Sequence, residues 1–298
     1  MRNRSKKHHY LPRHFLKGFT DDKNCFFVYD KQKNKIFYTS PEATFFKNDL
    51  NTIFLPESGA SDFLEELYAN VEGLSWNSLD KIRLSHPKKL IDLFDKMNLF
   101  LFLLFQHWRL PRNIGHAEDL SEKLFTGEES VFDFIKLTQT NGESVSEEIA
   151  KTMRQSHAFQ KVTRVIAPLV PFYKDKDWSY KLSDWKLFYT ADSKSWYMVG
   201  DSPIITNGKN DHDPINCLSE FIFPVSGKIL LVNYKKAAKK DLSEKFIISY
   251  STAVIENANR FVACHNKEFL EMLVERYRLC ARLNKPGDIL SEMFKALE

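Results

Sequence analysis

The sequence predicts an α+β protein, in which an N-terminal β-hairpin and late antiparallel strands pack against a mainly helical middle and C-terminal helices. Three observations support this class. Two aromatic segments flank the polar turn of "FFVYDKQKNKIFYT", a helical apolar period runs through the middle of the chain, and β-type segments return afterwards. We expect a basic leader at 1–7 and a single domain at 8–298, with a helical subregion at about 61–170 and a β-rich subregion at about 185–250.

Composition restricts the class of protein. The chain has 298 residues, of which 43% are hydrophobic and 14% aromatic, enough to bury a core. A net charge of +4 permits contact with nucleic acid without requiring it. The four cysteines are scattered, which disfavours a disulfide framework or zinc site and favours the cytoplasm. The most apolar run, Met97 to Trp108, is too short to cross a bilayer, so we expect no membrane partner.

Each element follows from a local pattern. In "HHYLPRHFLKGF" we expect a strand or turn and then a short helix after Pro12, and the hairpin comes next. A helix that Ser61 can cap precedes a long apolar helix that Pro111 ends. Two further helices are joined by "NGES". "KLFYT", "EFIFPVSGKILLVNY" and "KFIIS" predict strands, which the hairpin is able to join in one sheet, and "NKEFLEMLVERYRLCARL" and "PGDILSEMFKAL" predict the last helices.

Adjacent histidines, His8 and His9, form the first candidate site. Neutral imidazole can act as a general base or a metal ligand near neutral pH. On a strand, successive side chains point to opposite faces, so at most one histidine would face a given pocket, whereas a turn relaxes this limit. An exposed basic tip without chemistry is an equally good interpretation.

Arginines and an aspartate at the ends of predicted elements form two further candidates. Arg109 and Arg112 lie in "RLPR" after the apolar helix, and Asp201 lies in "GDSP" after a hydrophobic segment. A guanidinium offers a planar set of donors for phosphate or carboxylate. A carboxylate at a strand end can serve as acid, base or metal ligand. The ordinary alternatives are cations that cap a helix and an aspartate that begins a β-turn.

Several motifs occur in a fixed order: "HHYLPRHFLKGF", "FFVYDKQKNKIF", "TSPEATFFKNDL", "RLPR", "GDSPII" and "FIFPVS". This ordered set resembles a bacterial family known only as a domain of unknown function, DUF4238, over roughly residues 8–265. The resemblance implies no reaction. The polar residues that it assigns to the family pattern are His8, His9, Arg109, Arg112 and Asp201.

If these side chains converge, they form an acid/base pair beside an anion clamp. We therefore expect an intracellular nuclease that cleaves phosphodiesters of RNA or DNA, as an effector of phage defence or a toxin. Two alternatives stay open, a non-catalytic module that binds nucleic acid, a nucleotide or an acidic partner, and buried ion pairs that stabilise the fold. In the nuclease, His8, His9 and Asp201 are catalytic and Arg109 and Arg112 hold the phosphate.

These residues leave the cofactor and the assembly open. Two histidines and one aspartate are too few ligands to specify a metal, so both a divalent-cation reaction and a metal-free reaction are compatible with them. The sequence also leaves the oligomeric state open.

Overall fold

The computed structural model describes residues 6–55, 59–84, 91–123, 145–175, 177–190, 196–208, 213–238, 242–282 and 288–298. The helices are α1 (Arg13–Leu16), α2 (Phe63–Leu84), α3 (Leu93–Arg109), α4 (Ile114–Lys123), α5 (Glu147–Gln155), α6 (His157–Ile166), α7 (Val170–Lys174), α8 (Glu244–Asn257), α9 (Lys267–Arg282) and α10 (Asp288–Lys295). The strands are β1 (Lys7–His9), β2 (Phe26–Asp30), β3 (Lys35–Thr39), β4 (Phe46–Asn48), β5 (Ile53–Leu55), β6 (Gly59–Ser61), β7 (Trp185–Tyr189), β8 (Val199–Gly200), β9 (Ile205–Thr206), β10 (Phe221–Ser226), β11 (Ile229–Asn233) and β12 (Phe261–Cys264).

Two four-stranded antiparallel sheets carry most of the β structure, in the orders β3-β2-β12-β8 and β7-β11-β10-β9. The predicted α+β class is confirmed. The predicted hairpin is the β2–β3 pair, but it reaches only β12 and, through it, β8. The late strands are therefore divided between two sheets, where one sheet was expected. Two small pairs, β1-β4 and β5-β6, stand apart from both.

The segment "KFIIS" is helical, and its prediction as a strand is wrong. It lies in the first two turns of α8, where the Ser243 hydroxyl accepts a hydrogen bond from the backbone N–H of Phe246. Phe246, Tyr250 and Val254 are buried at helical spacing, so the apolar period continues well past the five residues of the segment. Strand β11 ends at Asn233, and the next strand, β12, begins at Phe261 after this helix.

The helical middle follows the predicted order. Helix α2 begins at Phe63, and α3 is capped by Asp92 and ends just before Pro111. Strand β1 already includes Lys7, which was assigned to the leader. The "NGES" turn and residues 1–5 lie outside the described residues.

Helix α3 is the centre of the larger core. Its second half is buried on nearly every side, as its continuous apolar run predicts. The rings of Phe100, Phe102 and Trp108 are almost completely removed from solvent. None of the helices that the structure describes has the length and apolarity needed to cross a membrane.

The N-terminal motif is fastened to α2 by Arg83. Its guanidinium lies over Gly18 and donates hydrogen bonds to the carbonyls of His14, Phe15 and Val225 at 3.2, 2.7 and 3.1–3.2 Å. A Cβ atom at Gly18 would lie 2.6 Å from Nη2 of Arg83, so a side chain there would displace the guanidinium. This contact holds α1 and the residues after β1 against the helical core.

Candidate anion-binding site

Strands β1 and β4 place the two histidines in different surroundings. In this antiparallel pair, His8 lies opposite Lys47 and His9 lies opposite Phe46. The side chains of neighbouring strand residues point to opposite faces. His8 is completely buried, whereas His9 is half-buried.

His8 belongs to a polar cluster in the interior. Its Nδ1 accepts a hydrogen bond from the backbone N–H of Asn51 at 3.0 Å and lies 3.6 Å from Oε2 of Glu65. A ring nitrogen that accepts a hydrogen bond carries no proton, so the neutral ring has its proton on Nε2. In this arrangement Nδ1 of His8 is occupied and does not serve as a base toward a ligand.

Arg109 is the cation of the same cluster. Its guanidinium donates to Glu72, lies 3.5 Å from Oε1 of Glu65, and has Cζ 4.6 Å from the centre of the Tyr68 ring. Burial opposes the charge, but Glu72 and Glu65 outweigh burial and raise the pKa of Arg109. The spacing of apolar residues in α2 alone would suggest that both glutamates face solvent, but in the structure they are the partners of this buried arginine. Arg109 is thus engaged internally, away from Arg112.

Asp201 follows β8 and is also buried. Its Oδ1 accepts from the backbone N–H of Asn259 at 2.7 Å, and its Oδ2 accepts from those of Arg260 and Phe261 at 2.7 and 3.0 Å. Burial raises the pKa of Asp201, while the three N–H donors act in the opposite direction. The carboxylate therefore ties the end of β8 to the turn that connects α8 with β12.

Arg112 is exposed and lies in the short 3₁₀ turn that follows α3. Its Nη1 donates to Oδ1 of Asn257 at 2.6 Å, and Nδ2 of Asn257 donates to the carbonyl of Ser202 at 3.3 Å. The "RLPR" and "GDSP" motifs, which are far apart in the chain, therefore meet at the end of α8.

These segments enclose a pocket of about 260 Å³, which we call the motif pocket. Asp201 and Arg112 line it, so the structure brings these two predicted site residues together. His8 and Arg109 are absent from its lining, and they form the separate buried cluster. Other residues that line the motif pocket are Tyr10, Phe46, Lys47, Arg260 and Phe261.

The motif pocket is cationic, and its cations have N–H donors that are not used in hydrogen bonds within the described part of the protein. Arg260 donates from Nε and Nη2 to Oδ2 of Asp30 at 3.1 and 2.9 Å. A guanidinium has five N–H donors, so Arg260 and Arg112 both retain some for a ligand. Lys47 is exposed, and its ammonium group forms no hydrogen bond or ion pair with any other residue that the structure describes.

Tyr10 adds a neutral donor to the pocket. Burial, and then the nearby Asp201, raise the pKa of its hydroxyl well above the ordinary value. The hydroxyl therefore stays protonated and can donate a hydrogen bond to an anion. The motif pocket thus combines three cations and one neutral donor with one lining carboxyl group, Asp201, which three backbone N–H groups already engage, and this set suits a phosphate or carboxylate group.

The sequence did not identify every residue of this pocket. Tyr10 and Lys47 stand inside the motifs "HHYLPRHFLKGF" and "TSPEATFFKNDL", but nothing in these motifs marks either as a site residue. Arg260 occurs in "NANRFV", where no recognisable spacing surrounds it. In the described parts of the chain, no group of three or more His, Cys, Asp or Glu side chains is arranged to hold a metal ion.

His9 has a ring nitrogen without a partner. Its Nε2 is buried and no other described residue bonds to it, while its ring lies 5.6 Å from the ring of Phe46. Burial and then Arg13 lower the pKa of His9 from its ordinary value of 6.5. Folding therefore favours the neutral imidazole.

We expect the free energy of unfolding to fall as the pH is lowered through about 6.5. Below that pH the unfolded chain binds a proton at His9 that the folded chain resists, so stability rises with pH in this window. Urea titrations at a series of pH values measure this dependence. The free energy of unfolding should vary less with pH in His9→Gln than in the wild type. Burial also lowers the pKa of His265, so His265→Gln is the matched comparison. An unchanged slope in His9→Gln would contradict the placement of His9.

Together, the fold and the pocket define an α+β protein with a cationic pocket assembled from several distant segments. The chain matches the family model described as "Protein of unknown function (DUF4238)" over residues 7–268, and it belongs to this family. The resemblance seen in the ordered motifs is thereby confirmed. Neither the curated proteins nor the solved structures include a significant match.

Proposed function

We propose that this protein binds a phosphate group of a nucleic acid in the motif pocket. The observation that carries the proposal is the convergence of Lys47, Arg112 and Arg260 on one pocket from three distant segments. Guanidinium groups bind phosphate through paired N–H donors, and a lysine adds a point charge. Asp201 supports the pocket by holding the backbone around Arg260 in place.

The aromatic lining favours nucleic acid over inorganic phosphate. Phe46 and Phe261 are half-buried and line the same pocket as the cations. Nζ of Lys7 and Cζ of Arg260 lie over these rings, 4.8 and 4.5 Å from the centres of Phe46 and Phe261, so an unpaired base would stack on the ring surface that the cations leave uncovered. Such stacking accepts any base. A pocket with cations and rings together therefore suits a nucleotide unit.

Cleavage of the bound phosphodiester is the second candidate, and His9 favours it. A neutral imidazole with a free nitrogen can accept a proton from an attacking hydroxyl or water. His9 does not itself line the motif pocket, but its ring lies 5.6 Å from that of Phe46, which does. In such a nuclease Arg112 and Arg260 would stabilise charge that develops on the phosphate. This activity would suit an effector of phage defence or a toxin.

Arg112→Gln is expected to weaken binding of nucleic acid about tenfold at low salt, since it removes a charged donor from the pocket. Fluorescence anisotropy with labelled single-stranded DNA and RNA measures this change. Arg276→Gln is the matched control, because Arg276 is exposed on α9 and does not line the motif pocket. Equal affinities of the wild type and Arg112→Gln would overturn the proposal.

The cleavage candidate is tested on transfer RNA, single-stranded DNA and duplex DNA, with Mg²⁺, with Mn²⁺ and with EDTA. Cleavage that His9→Ala abolishes while binding persists would support the nuclease. The EDTA reactions decide whether a divalent cation takes part. Intact substrates in every condition, from a protein that binds them, would reject cleavage and leave binding as the function.

A further inference from the structure

A second cationic pocket adjoins the motif pocket. Its volume is about 280 Å³, and it is lined by Lys47, Ile114, Glu118, Lys161 and Arg164, among others. Lys47 lines both pockets, so the two pockets are direct neighbours.

The two pockets are also bounded by the same two chain segments. Strand β4 contributes Lys47 to both. The segment after α3 contributes Pro111 and Arg112 to the motif pocket, then Ile114 and Glu118 to the second pocket. The two pockets therefore lie next to each other along β4 and the segment after α3 and share Lys47, and we call this stretch of surface the groove.

Lys161 is held in the second pocket by neutral partners. Its Nζ donates to the carbonyls of Thr52 and Asp49 at 2.7 and 3.3 Å. Carbonyl oxygens fix the position of an ammonium group without cancelling its charge.

Arg164 is held in the same way. Its guanidinium donates to the carbonyls of Trp108, Leu50 and Arg109 at 3.2, 3.3 and 2.7 Å. The second pocket has only two carboxylates, Asp49 and Glu118, among its described lining residues. The three cations of this pocket, Lys47, Lys161 and Arg164, therefore outnumber its carboxylates. Their positions are preorganised for an anion.

We infer that the groove binds one single strand of nucleic acid, with one phosphate in the motif pocket and a further phosphate in the second pocket. The inference rests on the proposed function and names its ligand class, an oligonucleotide longer than one nucleotide unit. A single strand fits because its unpaired bases are free to stack on Phe46 and Phe261, whereas duplex bases are not.

Length dependence is the first test. A thymidine decanucleotide is expected to bind at least about a hundredfold more tightly than the dinucleoside monophosphate, well above the roughly ninefold statistical gain from its larger number of phosphates, since its contact with the second pocket becomes intramolecular. Competition against a labelled decanucleotide gives both affinities. A duplex of the same length should compete more weakly than the single strand. A duplex that competes better would overturn the single-strand assignment.

Glu118→Gln is the second test, and it predicts a gain. Removal of this carboxylate should tighten binding of the decanucleotide about threefold and leave the dinucleoside monophosphate unchanged. Asp119→Asn is the matched control, because Asp119 is exposed on the same helix outside the pocket. A gain in affinity cannot arise from partial unfolding.

The outcomes separate this inference from the proposed function. One outcome is that the decanucleotide and the dinucleoside monophosphate bind equally well through Arg112, and that Glu118→Gln changes neither affinity. Phosphate binding in the motif pocket is then supported, and the second phosphate site is refuted. If no nucleic acid binds, or if Arg112→Gln has no effect, the proposed function fails and the inference fails with it. Tighter binding of the decanucleotide, enhanced by Glu118→Gln alone, supports both.

Discussion

Arg109→Ala is expected to lower the free energy of unfolding by about 3–5 kcal/mol, the range for breaking a buried ion pair. Arg109 is 3% exposed and pairs with Glu72 and Glu65. Its removal leaves Glu72 and Glu65 without their shared cation, and Glu65 also lies 3.6 Å from Nδ1 of His8. Urea unfolding followed by tryptophan fluorescence near pH 7 measures the loss.

Arg112→Ala is the matched control for this variant. Arg112 lies three residues further along the same motif, is exposed, and donates one hydrogen bond to Asn257. Its replacement should change stability by less than about 1 kcal/mol. A similar contrast is expected on α2 between Glu72→Gln, which breaks the buried pair, and Glu66→Gln, which alters an exposed side chain.

The reverse ranking of the two arginine variants would refute the buried-pair assignment. The sequence predicts one role, phosphate binding, for both Arg109 and Arg112. The expected ranking would show that their roles differ. Arg109 then stabilises the fold, and of these two arginines only Arg112 contacts the phosphate. Loss of nucleic-acid binding in a fully stable Arg109→Ala protein would restore Arg109 to the site.

Asp201→Ala is expected to destabilise the protein by about 3 kcal/mol. The substitution removes the acceptor of three backbone N–H groups at Asn259, Arg260 and Phe261, and unsatisfied buried donors are costly. Asp201→Asn should be intermediate, because an amide retains one acceptor oxygen but turns its own N–H groups toward the donors. Thermal and urea unfolding of both variants measure these losses.

Asp177→Ala supplies the control for Asp201. Its carboxylate is exposed and accepts one hydrogen bond from the Ser179 hydroxyl at 2.8 Å, so we expect a change within about 0.5 kcal/mol. The result bears on the role of Asp201. If Asp201→Ala is as stable as the wild type but loses cleavage, the carboxylate is catalytic, as the sequence predicts. If stability falls as expected, its main role is to hold the wall of the motif pocket.

Local patterns were sufficient for most of the secondary structure. The β2–β3 hairpin follows from two aromatic segments around a polar turn, and α3 follows from an apolar run that stops at Pro111. Both signals lie within about twenty residues of chain, where backbone preference and burial agree. "KFIIS" shows the limit of such patterns, since a run of three apolar residues suits a strand and a helix equally.

The sequence also indicated several of the polar residues that the folded protein uses, but not their partners. His8, Arg109 and Asp201 are each buried, and a buried polar group requires a partner. That partner can come from any segment that folding brings near. Glu65 and Glu72 for Arg109, and the backbone of 259–261 for Asp201, belong to other elements.

The same reason explains the motif pocket. Lys47, Arg112 and Arg260 share no sequence spacing, and they meet because β4, the turn after α3 and the start of β12 pack together. The chemistry of each side chain is a property of its residue type and can be read from the sequence. Whether a charge is cancelled internally or offered to a ligand depends on distances between remote segments, and only tertiary packing sets those distances.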